Sequence, residues 1–214
     1  MAYNIAAPFC PDRDERIVEW STGRRVLHIG ACDAPYTKRK FERGLLLHPK
    51  LAAVASELRG IDLDREAIKL MERLGYPIAH FDMNNARELG FRAEVIVFGE
   101  TIEHLANFDS TFKCLRSIMV DGTRLIISTP NAFYSRRFVD AAFGTERTHE
   151  EHTCLFSLQT LRQMLARYGL EVEEAAYTFL PRHKNRMRRR FNMALARLAS
   201  ALGETLLVSV RLAK

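Results

Sequence analysis

Cysteine is sparse and unpaired in this sequence: Cys10, Cys32, Cys114 and Cys154 are scattered through 214 residues with no CxxC spacing. That argues against a disulfide framework and for reduced thiols in a cytoplasmic protein. No apolar run approaches the roughly 20 residues needed to cross a bilayer. The opening MAYNIAAPFCPDRDER lacks a basic stretch followed by an apolar one, so it does not read as a secretory signal. Internal repeats and low-complexity linkers are missing too.

What is present is ordinary globular composition, 47% hydrophobic and 27% charged. This supports one compact domain with a sizeable core. The whole of 1–214 reads as that domain, with 1–23 a helical extension and 181–204 a basic amphipathic helix ahead of the last strand. Its expected apolar stripe is Phe191, Leu195, Leu198 and Leu202. Net charge is +6, and Arg182 to Arg190 reads RHKNRMRRR without one carboxylate. Such a run concentrates anionic partners. It suits a cover over a substrate site, an anionic membrane surface, an RNA backbone or a plain solvated helix. No aromatic-interleaved motif favours nucleic acid.

Short apolar runs alternate with helical patterns, which predicts a doubly wound, mostly parallel α/β sheet of seven strands ending in an antiparallel pair. The expected strands are Val26–Ile29, a short one ending before Asp62, Ile78–Phe81, Glu94–Phe98, Arg124–Ser128, Val172–Leu180 and Thr205–Leu212. Thr129-Pro130-Asn131 should end the fifth, since proline cannot donate to a ladder. Helices are expected after Asp64, with Gly75 as the stop, over Asp109–Met119, and after Ser157, with Gly169 as the stop.

Ligands of such sheets sit beyond the carboxyl ends of the strands where strand order reverses. Gly30-Ala31-Cys32-Asp33-Ala34 follows the first strand, a small-residue turn that admits a ligand to the backbone, with a helix N-terminus expected next. Asp62 can accept hydrogen bonds from two ribose hydroxyls. Asp82-Met83 suits an adenine edge, and Gly99-Glu100 follows the fourth strand. A dinucleotide-binding dehydrogenase is disfavoured because the Gly30 loop lacks GxGxxG and Asp62 lies too far on.

The runs VLHIGACDAP, GIDLD, FDMNN, VIVFGETIEHL and LIISTPN, in this order, resemble the class I S-adenosylmethionine-dependent methyltransferases. The nearest resemblance is to the branch with ubiquinone-biosynthesis O-methyltransferases. It spans Arg24 to Leu180, including HTCLFSLQTLRQMLARYGLEV, and resumes at Thr205. It implies a Rossmann-like fold and S-adenosylmethionine contacts from Gly30, Ala31, Cys32, Asp33, Asp62, Leu63, Asp82, Met83 and Gly99. The family's acidic residue two positions before the first glycine is His28 here, and its later loop glycines are Cys32 and Ala34. Asp33 is the candidate replacement carboxylate.

Glu100-Thr101-Ile102-Glu103-His104 places Glu100, Glu103 and His104 on one face if a helix starts there. Two carboxylates and an imidazole suit Mg²⁺, Mn²⁺ or Zn²⁺. Small-RNA 3′-end methyltransferases and some quinone O-methyltransferases share the ExxEH run and hold a divalent metal with a later histidine. That resemblance makes His152 the fourth ligand, with His149 in reserve. The plainer alternatives are helix-start residues bonding backbone, or His104 alone as a general base. Beyond the fifth strand, Phe133, Tyr134, Arg136, Arg137 and Phe138 would wall an acceptor pocket, the arginines holding a phosphate or carboxylate or standing in solvent.

The expected function is methyl transfer to an oxygen of a small-molecule or cell-envelope or glycan-related acceptor, with Glu100 or His104 assisting deprotonation. Two alternatives stay open: a catalytically silent cofactor-binding module, motivated by the altered Gly30 loop, and an RNA methyltransferase using a metal-bound ExxEH site.

Overall fold

The computed structural model describes residues 2–179, 193–195 and 197–213. Eight strands form one sheet in the order β1-β7-β8-β6-β5-β2-β3-β4. They are β1 (Phe9–Cys10), β2 (Arg25–Ile29), β3 (Glu57–Asp62), β4 (Ile78–His80), β5 (Val95–Gly99), β6 (Arg124–Pro130), β7 (Leu170–Thr178) and β8 (Thr205–Leu212). Neighbours are parallel except that β8 runs antiparallel to both β6 and β7. Strand order reverses between β2 and β5, at the centre of the sheet.

The helices are α1 (Arg13–Ser21), α2 (Thr37–Phe41), α3 (Leu47–Ala52), α4 (Arg65–Arg73), α5 (Phe108–Ile118), α6 (Ser135–Ala142) and α7 (Leu158–Ala166). Strand alternation divides the core between the two faces. Ile96 and Phe98 pack with Phe112 and Leu115 of α5 and Leu158, Leu161 and Leu165 of α7. Val95 and Val97 pack on the other face with Ile17 of α1 and Leu47 and Leu51 of α3. Ala67, Ile68 and Met71 of α4 close over Ala31, Cys32 and Leu46.

Caps set the helix starts as the sequence suggests. Asp64 accepts from the Ala67 N–H at 2.8 Å. Ser157 and Thr160 form a reciprocal capping box. Among the described residues no helix is long and apolar enough to cross a membrane.

Five expectations need correction. The sheet has eight strands, because Phe9–Cys10 pairs with Tyr177 and Thr178 inside the supposed helical extension; two residues are too few to show a period. Strand β4 stops before Phe81. Strand β6 runs on through Pro130, which faces Thr205; at the last position the missing N–H costs the ladder little. No helix follows the Gly30 turn directly, since α2 begins only at Thr37. The stripe of 181–204 fails where it is described, with Leu198 88% exposed and Leu202 in a separate 3-10 turn, Ser200–Leu202. The basic run 182–190 and Phe191 lie outside the described residues.

Candidate active site

The carboxyl ends of β2, β3 and β5 lie side by side, at the strand reversal where doubly wound sheets bind ligands. Gly30 turns the chain at φ +71°, and a β-carbon there would stand 2.9 Å from Thr101 Oγ1. The N–H groups of Gly30 and Ala31 donate to the Ile61 carbonyl at 3.0 and 3.2 Å. The Cys32 N–H donates to Asp62 Oδ2 at 2.8 Å, while Asp62 Oδ1 accepts from Leu63 and Asp64 at 2.8 and 3.0 Å. Asp62 therefore fixes the Gly30 loop as well as ending β3. Beside it Leu63 is 61% exposed, an apolar surface open to a planar ligand.

The remaining cofactor candidates separate into different roles. Asp82 caps the 3-10 turn Met83–Leu89, accepting from the Asn84 N–H and amide at 2.9 Å. The Met83 side chain is buried in the core, and its carbonyl accepts from the Cys114 thiol. Asp33 sits at φ 57° and is ion-paired with Lys40. Burial, and then the Asp62 carboxylate, raise the Cys32 thiol above its ordinary value, so it stays neutral.

His28 stands where the resemblance leads one to expect an acid, and the structure gives it an unforeseen partner. Its Nδ1 lies 3.1 Å from Nδ1 of His48 on α3, so one imidazole donates and the other accepts. Burial, then His48 and Arg13, hold His28 well below its ordinary value. Burial takes His48 to about 4. Both rings are neutral at physiological pH.

Arg13, in the first turn of α1, is a buried charge beside the candidate site that the sequence does not single out. Its Nε and Nη2 donate to Asp14 Oδ1 at 3.0 and 2.8 Å, and its Nη1 to Ser128 Oγ at 3.2 Å. Nη1 also lies 3.6 Å from Glu100 Oε1. Lys50 holds the other Asp14 oxygen at 2.7 Å. Burial disfavours the Arg13 charge, but Asp14 and then Glu100 more than compensate and raise its pKa. No local pattern in RDER marks a contact with Ser128.

The run Glu100 to His104 is where the expected geometry changes. Only Ile102–His104 is helical, as a 3-10 turn, and Glu100 sits in the left-handed region at φ 49°. Its carboxylate pairs with Arg13 and does not join the ligand cluster. Glu103, His104 and His152 do converge, each offering one atom within 4.8 Å of the others. Glu103 Oε2 accepts from Thr129 at 3.0 Å, while its buried Oε1 has no hydrogen-bond partner among the described residues. Burial and then Glu100 push the Glu103 carboxyl up to about 8. Burial pulls His104 down. Thr153 ties the His152 loop to this turn, donating N–H and O–H to the Glu103 carbonyl at 2.9 and 3.0 Å. His149 stays outside the cluster, with its ring centroid 6.0 Å from His104 and 5.4 Å from His152.

Comparison with known proteins decides the family. A family described as a methyltransferase domain matches residues 7–175. The chain belongs to the methyltransferase domain family. No curated protein sequence matches this methyltransferase. Its fold is similar to that of an S-adenosylmethionine-dependent methyltransferase from Archaeoglobus fulgidus, with TM-score 0.60, 16% identity and coverage of 93% of this chain and 91% of that one. It is similar to magnesium protoporphyrin IX methyltransferase from Synechocystis with bound S-adenosylhomocysteine, with TM-score 0.59, 14% identity and coverage of 94% and 82%. The N-methyltransferase NodS from Bradyrhizobium japonicum gives TM-score 0.52, 15% identity and coverage of 94% and 93%. The methyltransferase thus has the Rossmann-like class I fold, whose methyl donor is S-adenosylmethionine.

Proposed function

We propose that this methyltransferase transfers the donor's methyl group to an oxygen of a small or cell-envelope-related acceptor, held at Glu103, His104 and His152. The reading rests on the convergence of one buried carboxylate and two imidazoles, joined to the cofactor crevice through β5. The neighbours' names include a porphyrin methyltransferase and an N-methyltransferase, so the acceptor atom is read from this chain's own ligands. The four cysteines are free thiols, which suits a cytoplasmic setting.

A carboxylate with two imidazoles fits a divalent ion of borderline hardness, such as Zn²⁺ or Mn²⁺, better than Mg²⁺. Three protein ligands with further positions open is the catalytic arrangement. The orphaned Glu103 Oε1 is the atom an ion would satisfy, and Thr129 orients that carboxylate from behind. When bound, such an ion lowers the pKa of an acceptor hydroxyl and polarises it for attack. The chain's own residues do the rest. Asp62 accepts from the donor's ribose hydroxyls and Leu63 offers its apolar face to the adenine. His104, the most exposed of the three, is a ligand when the ion is bound, the hydroxyl proton then leaving to solvent, and takes that proton itself only when the ion is absent. Transfer is direct, so positioning and exclusion of water supply most of the rate.

Calorimetry with S-adenosylhomocysteine, with and without EDTA, tests the donor site, and Mn²⁺ or Zn²⁺ titration tests the ion. Micromolar nucleoside binding that survives EDTA is expected, together with metal uptake that disappears in Glu103→Gln. His104→Ala should retain nucleoside affinity and lose turnover. Unchanged turnover in that variant would remove His104 from the chemistry.

A further inference from the structure

The loop and helix beyond β6 hold an arginine whose surroundings are unlike those of its neighbours. A cavity of about 400 Å³ lies between α6 and the loop before α7, lined by Arg137, Asp140, Thr145, Glu146, Arg147 and Leu155 among others. Arg136 and Arg147 share Asp140 at 3.6 and 3.4 Å. Arg137 is half-buried, yet makes no ion pair among the described residues; the one side-chain hydrogen bond it makes among them runs from Nε to the Asn131 carbonyl at 3.2 Å. Among the described residues its two terminal nitrogens have no hydrogen-bond partner. Burial pulls its pKa below the ordinary arginine value, although Glu146, Tyr134, Asp140 and Glu204 act on it from a distance in the opposite direction.

The seat is also rigid. Asn131 is fully buried. Its amide donates to the carbonyls of Ala201 and Gly203 at 2.8 and 2.7 Å, and its Oδ1 accepts from the Phe133 N–H at 3.0 Å. A guanidinium held by Nε on so fixed a carbonyl presents its remaining nitrogens as a preformed fork, the geometry that matches a carboxylate or phosphate. The location links it to the chemistry. Asn131 directly follows β6, the strand whose Thr129 holds Glu103, and Leu155 lies on the same loop as His152.

We propose that the acceptor carries an anionic group, phosphate or carboxylate, that seats on Arg137 in this cavity while its hydroxyl lies at Glu103, His104 and His152. This rests on the methyltransferase reading of the neighbouring site. The ion pair with the ligand supplies what Arg137 lacks within the protein.

Three probes of one shape separate the possibilities: phenyl phosphate, benzoate and the neutral benzyl alcohol, titrated by calorimetry into the full chain saturated with S-adenosylhomocysteine. At least one anion should bind tenfold or more tightly than benzyl alcohol, and the stronger of the two identifies the group. Arg137→Gln should erase the difference, and Arg137→Lys should restore part of it. Equal binding of anion and alcohol by the wild type, or an anion preference untouched in Arg137→Gln, would overturn the proposal. Nucleoside binding by each variant reports the fold and the donor site separately, so failure of the methyltransferase reading shows in a different titration. Should Arg137→Gln lose nucleoside binding through misfolding, Arg137→Lys keeps the charge and the fold. A Lys variant whose anion affinity equals the wild type's would then exclude the fork.

Discussion

His28 and His48 show how a single buried contact ties stability to pH. Both titrate below the ordinary imidazole value of about 6.5 in the folded protein. The unfolded chain therefore binds protons first as pH falls. The stability contributed by the neutral pair is complete above that range and is lost as pH drops toward about 4, the value for His48. Asp14 works in the same direction only at lower pH, because its carboxyl is itself depressed. Urea unfolding at pH 6.5 and pH 5 should show a loss of roughly 2 kcal/mol per imidazole at most. Replacing both histidines by leucine should flatten that slope, and an unchanged slope would assign it to other groups. Gly60 makes room for this pair: its β-carbon would lie 2.6 Å from His48 Cε1 and 3.2 Å from the Ala31 β-carbon. Gly60→Ala should cost about 1–3 kcal/mol through overpacking, read from the urea midpoint. Asp62→Ala removes the proposed ribose acceptor together with the clamp on Cys32 N–H, and should raise the S-adenosylhomocysteine dissociation constant at least tenfold; a normal constant would contradict the ribose role.

At the scale of elements, α1 is bonded to the strand ends beside the candidate site and is not an appendage to the sheet. Through Arg13 it joins Asp14, Ser128 and Glu100 behind Gly99. Arg13→Met leaves two carboxylates short of a buried partner, although Lys50 still holds Asp14. The expected loss is about 3 kcal/mol in urea unfolding, and a change under 1 kcal/mol would show that Lys50 alone suffices. The sequence reveals the strands that end at Gly30, Asp62 and Gly99, because runs such as VIVFG are apolar on both faces and stop at small or acidic residues. It reveals α4 and α7 through Asp64 and Ser157. It anticipates a helix within 1–23 but conceals what α1 touches, because Ser128 lies on a strand far along the chain and no local period encodes the contact. The ExxEH run misleads in part for a local reason. Helical spacing would align Glu100 with Glu103 and His104, but a left-handed backbone at Glu100 turns its side chain to Arg13. His152 joins Glu103 through Thr153, a tie between loops that sequence separation does not suggest.

For the whole molecule, donor binding and folding are linked, since the crevice exists only when β2, β3 and β5 are aligned. Nucleoside at a hundredfold excess over its dissociation constant should stabilise the fold by about 2.7 kcal/mol. For a domain of this size that is a rise in melting temperature of about 5–10 °C. Asp62→Ala should shrink the rise at the same concentration, whereas His104→Ala should keep it. Equal shifts in both variants would mean that the nucleoside binds away from the Asp62 crevice.

The pairing of Thr178 with Thr205 has a bearing on how this architecture can diversify. The chain leaves the sheet at one of these residues and returns at the other, with its two ends registered against each other by the ladder. Lengthening such an excursion raises the closure entropy only logarithmically, by about 0.6 kcal/mol per doubling. Within it Phe179 packs on Phe9 and Tyr134, Ala201 and Gly203 hold the Asn131 amide, and Ser200 donates to the Ala7 carbonyl, so these positions are anchors that any exchange must keep. A library that varies the other positions of the excursion while holding Thr178, Phe179, Ser200, Ala201, Gly203 and Thr205 should return many folded members that keep the melting-temperature rise with S-adenosylhomocysteine, whereas one that also randomises the anchors should return few.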